Sequence, residues 1–246
     1  MKTKFGHLFP WQVLTRLVGA QMTCQLGSNL DVQQLSEEAA KIVEKFKPTN
    51  QHGDDHAGGW KSVSLISYGG DPFESKIVPG KPPMKTAAIK LAPYIESVID
   101  GFDFEKTRVR MMQLLPGETI LWHFDPNESI DISIARIHIP LVTNPDVIFQ
   151  ISHEDCQWRA GEIWYGDFSF PHRLFNGGQE GRIHLVLDVN VSDKLLAIFP
   201  EEYLVNKPKR VFIRRFTSRM INFYTWRRYR FGYMKRKQRV AYRHPH

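Results

Sequence analysis

Arg108-Val-Arg-Met-Met-Gln-Leu-Leu-Pro-Gly-Glu-Thr-Ile-Leu-Trp-His-Phe-Asp125 is two short runs of strand-forming residues on either side of Pro116-Gly117. A Pro-Gly pair supplies the fixed φ and the positive φ that a tight turn needs, so the stretch predicts consecutive strands over 108–115 and 118–124. The same texture continues to Asn190, with β-branched and aromatic segments at 132–142, 146–151, 162–166 and 182–191 separated by Gly, Pro and Asn. Six or more short strands in about eighty residues predict an all-β sandwich or barrel.

Helices are expected before this block. Val32, Leu35, Ala39, Ile42, Val43 and Phe46 recur at three- and four-residue steps, with Asn29 or Asp31 available as N-cap. Trp60 to Ser67 alternates like a strand and ends at Gly69-Gly70, and Pro79 to Met84 is a loop. Lys85 to Ile99 returns to helical spacing, kinked or divided at Pro93.

The 246 residues are 42% hydrophobic and 24% charged, which excludes both a disordered chain and a disulfide miniprotein. The net charge of +7 hides two unlike pieces. Residues 207–246 carry 14 Lys or Arg and no Asp or Glu, whereas in 1–206 the remaining 19 basic residues meet 26 acidic ones, a net of −7. The expected organisation is therefore a domain over 1–206 and a basic aromatic tail over 207–246. Only the tail supports binding to an anionic partner.

Two cysteines, Cys24 and Cys156, make no disulfide framework. Near the N-terminus, His7, Pro10, Gln12 and Arg16 interrupt what would be a signal peptide's apolar region. No run reaches transmembrane length. The expected location is the cytoplasm.

His123 and Asp125 stand two apart at the end of a strand, where i and i+2 face the same side. An imidazole and a carboxylate so placed are two of the three ligands of a 2-His-1-carboxylate facial triad, which binds Fe(II) and leaves positions open. A second segment, Gly161 through Pro171-His172, offers another imidazole, expected on a loop. Arg182 follows ten residues later on a strand, a separation that one hairpin could cover by bringing the Arg alongside the His. Its planar fork suits a carboxylate near the metal. The set predicts a metal site fed by a dicarboxylate.

The stretches Leu115 to Asp125, Arg136-Ile-His-Ile-Pro-Leu-Val-Thr-Asn144, Ala160 to Tyr165, Pro171-His172 and Arg182 to Asp188 resemble the aspartyl/asparaginyl β-hydroxylase family of 2-oxoglutarate-dependent dioxygenases. The resemblance is dense from about Arg108 to Asn190, thinner back to Trp60 and absent from the tail. It implies a double-stranded β-helix, a cupin-like jelly-roll, with N-terminal helices and the basic helical tail flanking it. It further implies that His123, Asp125 and His172 bind Fe(II), and that Arg182 holds the distal carboxylate of the cosubstrate 2-oxoglutarate. Arg136 and His138 would face the cosubstrate as well, or Arg136 the substrate's carboxylate. Asp125 completes a triad that some family members lack, which argues against halogenation.

With O2 as oxidant, the implied reaction is hydroxylation of a carbon in an amino-acid-like substrate, free or as an aspartyl/asparaginyl-type residue in a peptide or protein. The alternatives are a lipid acyl chain as substrate and a non-catalytic cupin-like module sensing a metal or dicarboxylate. Trp164 and Phe168 read as packing, Asn176 as a turn residue, His153 as a surface turn, and Asp188 as the end of the last strand, taking backbone hydrogen bonds.

In the tail, Phe212, Phe216, Met220, Phe223 and, less regularly, Trp226 and Phe231 recur at helical spacing, while Arg214, Arg215, Arg219, Arg227, Arg228, Arg230, Lys235, Arg236 and Lys237 supply dense positive charge. A basic aromatic helix fits three partners: the acidic body of the same protein, an anionic membrane surface, or nucleic acid.

Overall fold

A computed structural model describes residues 8–50 and 58–230. Phe231, Lys235, Arg236 and Lys237 of the tail lie outside them. The elements in chain order are α1 (Pro10–Val18), β1 (Thr23–Gly27), α2 (Val32–Phe46), β2 (Thr49–Asn50), β3 (Trp60–Tyr68), β4 (Pro83–Lys85), a 3-10 helix (Ala87–Leu91) and α3 (Pro93–Asp100). Then follow β5 (Lys106–Leu114), β6 (Thr119–His123), β7 (Ile134–Val142), β8 (Val147–Ile151), β9 (Glu154–Asp155), β10 (Ile163–Gly166), β11 (His172–Asn176) and β12 (Arg182–Asn190). Three helices close the chain: α4 (Asp193–Leu196), α5 (Glu201–Val205) and α6 (Lys207–Arg230).

Asp31 caps α2 by accepting from the Gln34 N–H at 3.0 Å. Pro93 divides the 85–99 segment and begins α3 at a position where no N–H is missed. Gly117 sits at φ +71°, as the Pro-Gly turn requires.

From β5 onward the chain goes out through four strands and returns through four. β5 pairs with β12, β6 with β11, β7 with β10 and β8 with β9, all antiparallel. The pairs are shared between two sheets, one ordered β1-β10-β7-β12-β5-β3-β2 with β4 on β3, the other β6-β11-β8-β9. That mirrored pairing is a double-stranded β-helix, the jelly-roll expected from the sequence. β11 and β12 consequently lie in different sheets, so Arg182 does not come beside His172 through a hairpin. The two residues meet across the lumen. The chain crosses from one sheet to the other between them, through a turn in which the Asn176 side chain donates to the Leu114 and Glu180 carbonyls.

Both faces of the large sheet are buried, but differently. Odd-numbered Val109, Met111, Ile137, Ile139, Leu185 and Leu187 form the outer core with Leu35, Ala39 and Ile42 of α2 and Ile95 and Ile99 of α3. Even-numbered side chains of the same strands, among them Arg110, Arg136, His138, Arg182, His184 and Asp188, are buried on the other face, toward the lumen. The polar side of the alternation is thus the interior of the roll, not solvent. The outward side of the small sheet is covered by α1 and α6, where Trp11 packs edge-to-face on Trp122 and Tyr224.

α6 begins where the charge changes sign, at Lys207. Its packed face is Arg210, Ile213, Thr217 and Ile221, all fully buried, while Phe212 and Phe223 of the expected aromatic stripe are exposed. The apolar repeat in the sequence therefore marked the packed side only in part: Phe216 and Met220 pack against the core, Phe212 and Phe223 do not. Arg210 Nε donates to Asp131 Oδ2 at 2.8 Å, and Arg214 Nη2 donates to Asp167 Oδ2 at 2.9 Å and Asp131 Oδ2 at 3.0 Å.

Candidate metal centre and cosubstrate pocket

His172 opens β11 rather than lying on a loop, and it stands directly across from His123, the last residue of β6, in the antiparallel register. The two ring centroids are 4.0 Å apart. Asp125 follows two residues past β6 and is fixed by its own N–H, which donates to the Phe168 carbonyl at 2.9 Å. One ligand atom from each of His123, Asp125 and His172 can be chosen so that all lie within 4.8 Å of one another, and no other such group of three or more occurs among the described residues.

The tautomers suit coordination. His123 Nδ1 is 2.7 Å from the Leu121 carbonyl and His172 Nδ1 is 3.0 Å from the Phe170 carbonyl. A carbonyl only accepts, so both Nδ1 atoms carry protons and both Nε2 lone pairs are left for a metal. Burial, together with the neighbouring His123, holds the His172 pKa down to about 3, so that imidazole is neutral at physiological pH.

Asp125 is held ionised. Burial alone would raise its pKa, but Arg136, then His123 and His172, keep it well below the usual carboxylate range. Arg136 Nη1 donates to Asp125 Oδ2 at 2.8 Å. The same guanidinium clasps Glu128 and donates through Nε to Asp188 Oδ1 at 2.8 Å. Arg136 was expected to meet a carboxylate of the cosubstrate or substrate; the carboxylates it holds are the protein's own.

Asp188 does not end the strand through backbone hydrogen bonds. Its side chain is completely buried and is the hub of an ion cluster with Arg108, Arg110 and Arg136 at 2.7–2.8 Å. Burial and the flanking Asp125 and Asp188 push the Glu128 pKa well above the ordinary value. Asp188 was expected only as a strand end, and the sequence reading assigned no role to Glu128, Arg108 or Arg110. The available signal was the period-two placement of charges between apolar residues on β5 and β12, a pattern that reads equally well as a solvent face.

Arg182 is the contrasting cation. It is 4% exposed, its Nε has no hydrogen-bond partner, and no carboxylate pairs with it among the described residues. Its Nη2 lies 2.8 Å from His184 Nδ1 and its guanidinium stands 5.3 Å from the Phe149 ring centroid. Burial lowers its pKa to about 9, which still leaves it charged at pH 7. An Arg can only donate, so His184 Nδ1 is an acceptor; His138 Nδ1, 3.3 Å from it, must then carry a proton. That leaves His138 Nε2 as a buried lone pair with no partner.

His123, Asp125, Arg136, His138, His172 and Arg182 line one cavity inside the roll. Arg182 and His184 also border a second cavity of about 350 Å³, beside the β7–β8 turn and the 156–160 loop.

The residues fit the groups expected of them. Two neutral imidazoles and an ionised carboxylate form a hard, three-point cation site with an open side. A buried, uncompensated guanidinium on the wall of the same cavity costs free energy unless an anion meets it. Fold and site together define a jelly-roll oxygenase with a facial triad. The chain belongs to the aspartyl/asparaginyl β-hydroxylase family, whose model matches residues 29–191. It is an Fe(II)- and 2-oxoglutarate-dependent dioxygenase, a hydroxylase that uses O2.

Remote likenesses among solved structures include a prolyl hydroxylase from Trichoplax adhaerens, solved with a hypoxia inducible factor oxygen degradation domain peptide. It is 10% identical, covering 78% of this chain and 98% of that one, with a TM-score of 0.47. A prolyl-4-hydroxylase of Pseudomonas putida is 13% identical, over 74% and 99%, at 0.43. A 2-oxoglutarate–Fe(II) oxygenase family protein of Burkholderia pseudomallei is 12% identical, over 74% and 89%, at 0.45. These add nothing to the family assignment.

Proposed function

We propose that the protein hydroxylates a carbon of an amino-acid-like substrate, free or as an aspartyl/asparaginyl-type residue in a peptide or protein, with His123, Asp125 and His172 holding the iron. The observation that carries this reading is the pairing, in one lumen, of a convergent His-Asp-His set with a buried Arg182 that has no counter-anion. When bound, the iron supplies the activation of O2 that couples oxidation of 2-oxoglutarate to succinate and CO2 with insertion of oxygen into a C–H bond.

The chain's own residues do the rest. Arg182 takes the distal carboxylate of 2-oxoglutarate, and His138, with its free Nε2, lines the same cavity as Arg182 and the metal ligands. Arg136 acts as a positioning residue: it occupies one oxygen of Asp125 and leaves the other for the metal. Phe149 and Phe168 keep the cavity dry around His138. The unpaired, buried thiols of Cys24 and Cys156 support a reducing, cytoplasmic location; no described helix is long and apolar enough to cross a membrane.

Anaerobic addition of Fe(II) and 2-oxoglutarate tests the reading. A weak visible charge-transfer band should form, and in air succinate release should be stimulated by members of a panel of amino acids, peptides and lipid extracts. A band without turnover under any substrate would favour the sensor; stimulation by lipid extracts alone would move the substrate class to acyl chains.

A further inference from the structure

α6 has two faces with different tasks. Arg210, Ile213, Thr217 and Ile221 are sunk in the body, and on the opposite side Phe212, Arg215, Arg219, Phe223 and Trp226 follow one another at steps of three and four, all exposed. Phe212, Phe223 and Trp226 are 55%, 59% and 54% exposed, and the last two are stacked on each other with centroids 5.8 Å apart. α1 lies antiparallel alongside, with Trp11 against Tyr224 and Gly19 near Lys209. It adds Val13 and Leu17, the latter 79% exposed. Large apolar side chains usually leave water, and here they alternate with arginines along a helix of about 36 Å.

We propose that the outward face of the α6–α1 pair docks on an anionic lipid bilayer, lying in the plane of the headgroups with Phe212, Phe223, Trp226 and Leu17 inserted and Arg215 and Arg219 among the phosphates. Charge complementarity names the partner: the segment 207–246 holds 14 Lys or Arg and no acidic residue, on a body of net −7 that such a membrane would otherwise repel. The aliphatic Val13 and Leu17 separate this partner from nucleic acid. Bases stack on aromatic rings but gain little from exposed Leu and Val, whereas an acyl-chain boundary accepts all of them. The inference is independent of the catalytic assignment, since none of these residues lines the metal cavity.

The test is cosedimentation of the full-length protein with vesicles of equal parts phosphatidylglycerol and phosphatidylcholine, and with phosphatidylcholine alone. The protein should pellet with the first and stay in solution with the second, and added salt should release it. Phe223→Ser/Trp226→Ser and, separately, Arg215→Glu/Arg219→Glu should each weaken partitioning by about tenfold or more with unchanged circular dichroism, because both pairs lie on the exposed face.

Equal binding to neutral vesicles, or none to anionic ones, overturns the proposal. So does a short single-stranded RNA bound by the wild type and lost in the same two variants, or a wild-type dimer that Phe223→Ser/Trp226→Ser dissociates. A protein that pellets but turns over no lipid leaves the docking surface standing and bears only on the substrate.

Discussion

Asp125, half-buried, and Arg182, fully buried, show how differently two charges of the lumen can be kept. Asp125 is compensated in advance by Arg136, so Asp125→Ala removes one metal ligand and also uncovers a guanidinium. The expected outcome is loss of detectable hydroxylation and weakening of Fe(II) binding by about a hundredfold, measured anaerobically by calorimetry. Arg182 is uncompensated until an anion arrives. Arg182→Met should therefore raise the apparent Kd for 2-oxoglutarate about 30-fold or more, from the ~2–5 kcal/mol that truncating one partner of a buried charge pair costs. The same substitution should raise the melting temperature of the ligand-free protein, because an unpaired buried cation is gone.

His138 and His184 give a pH signature of the same lumen. Burial, reinforced by the Arg182 charge, holds both well below the ordinary 6.5. Between the folded and unfolded values the unfolded chain binds protons that the native state refuses, so stability falls as pH drops below about 6.5 and is regained above it. Urea midpoints of metal-free protein near pH 7 and near pH 5 should differ, and His184→Asn should flatten that dependence.

Elements rather than residues decide where the lumen's walls are held. Arg214 on α6 reaches two segments at once, donating from Nε to Ser169 Oγ at 2.8 Å and from Nη2 to Asp167 and Asp131. The 167–171 segment leads straight into His172, and Phe168 accepts the hydrogen bond that fixes Asp125. Arg214→Ala should cost about 1–3 kcal/mol of unfolding free energy, because Asp167 loses its nearest cation while Arg210 still pairs with Asp131, and metal affinity should fall with it; Arg214→Lys should restore part of both.

This coupling was not legible in the sequence, where the acidic body was one of three partners for the basic segment and no residue of the body could be named as its contact. The six expected strands from β5 to β12 were legible, because β-branched runs between Gly and Pro report local preference. The closeness of His123 and Asp125 was legible as well, since an H-x-D pair at a strand end is a local geometry; the strand position of His172 was not. α1 and β1 were not foreseen: both are short, and their partners are distant in sequence, Trp122 and Tyr224 for Trp11 and β10 for β1. The ion cluster around Asp188 was missed for a different reason. Alternation on a strand gives two faces but does not say which one is inside, and here the helices α2 and α3 cover the apolar face and leave the charged one to the lumen.

At the scale of the whole molecule, the chain joins a body of net −7 to a terminal segment of net +14, and the junction is a packed interface as well as a charge contact. Ile213 and Ile221 are fully buried, the first in a hydrophobic cluster that includes Phe170 and Met22, the second in one formed with Trp11 and Trp122. Removing 207–246 would uncover both clusters and leave Asp131 and Asp167 without Arg210 and Arg214. Exposed apolar surface favours aggregation, and the unpaired carboxylates loosen the segments around Asp125 and leading into His172.

The expected outcome of that deletion is insoluble protein, or a soluble remainder with diminished near-ultraviolet circular dichroism and no Fe(II) binding. A soluble 1–206 with native spectrum and intact metal affinity would instead make α6 a detachable device. These outcomes differ from those of the outward-face variants, which leave Arg210, Ile213 and Arg214 untouched and should keep iron binding unchanged. One helix thus presents two faces that mutagenesis can address separately: the inner one changes the metal site, the outer one only where the protein resides.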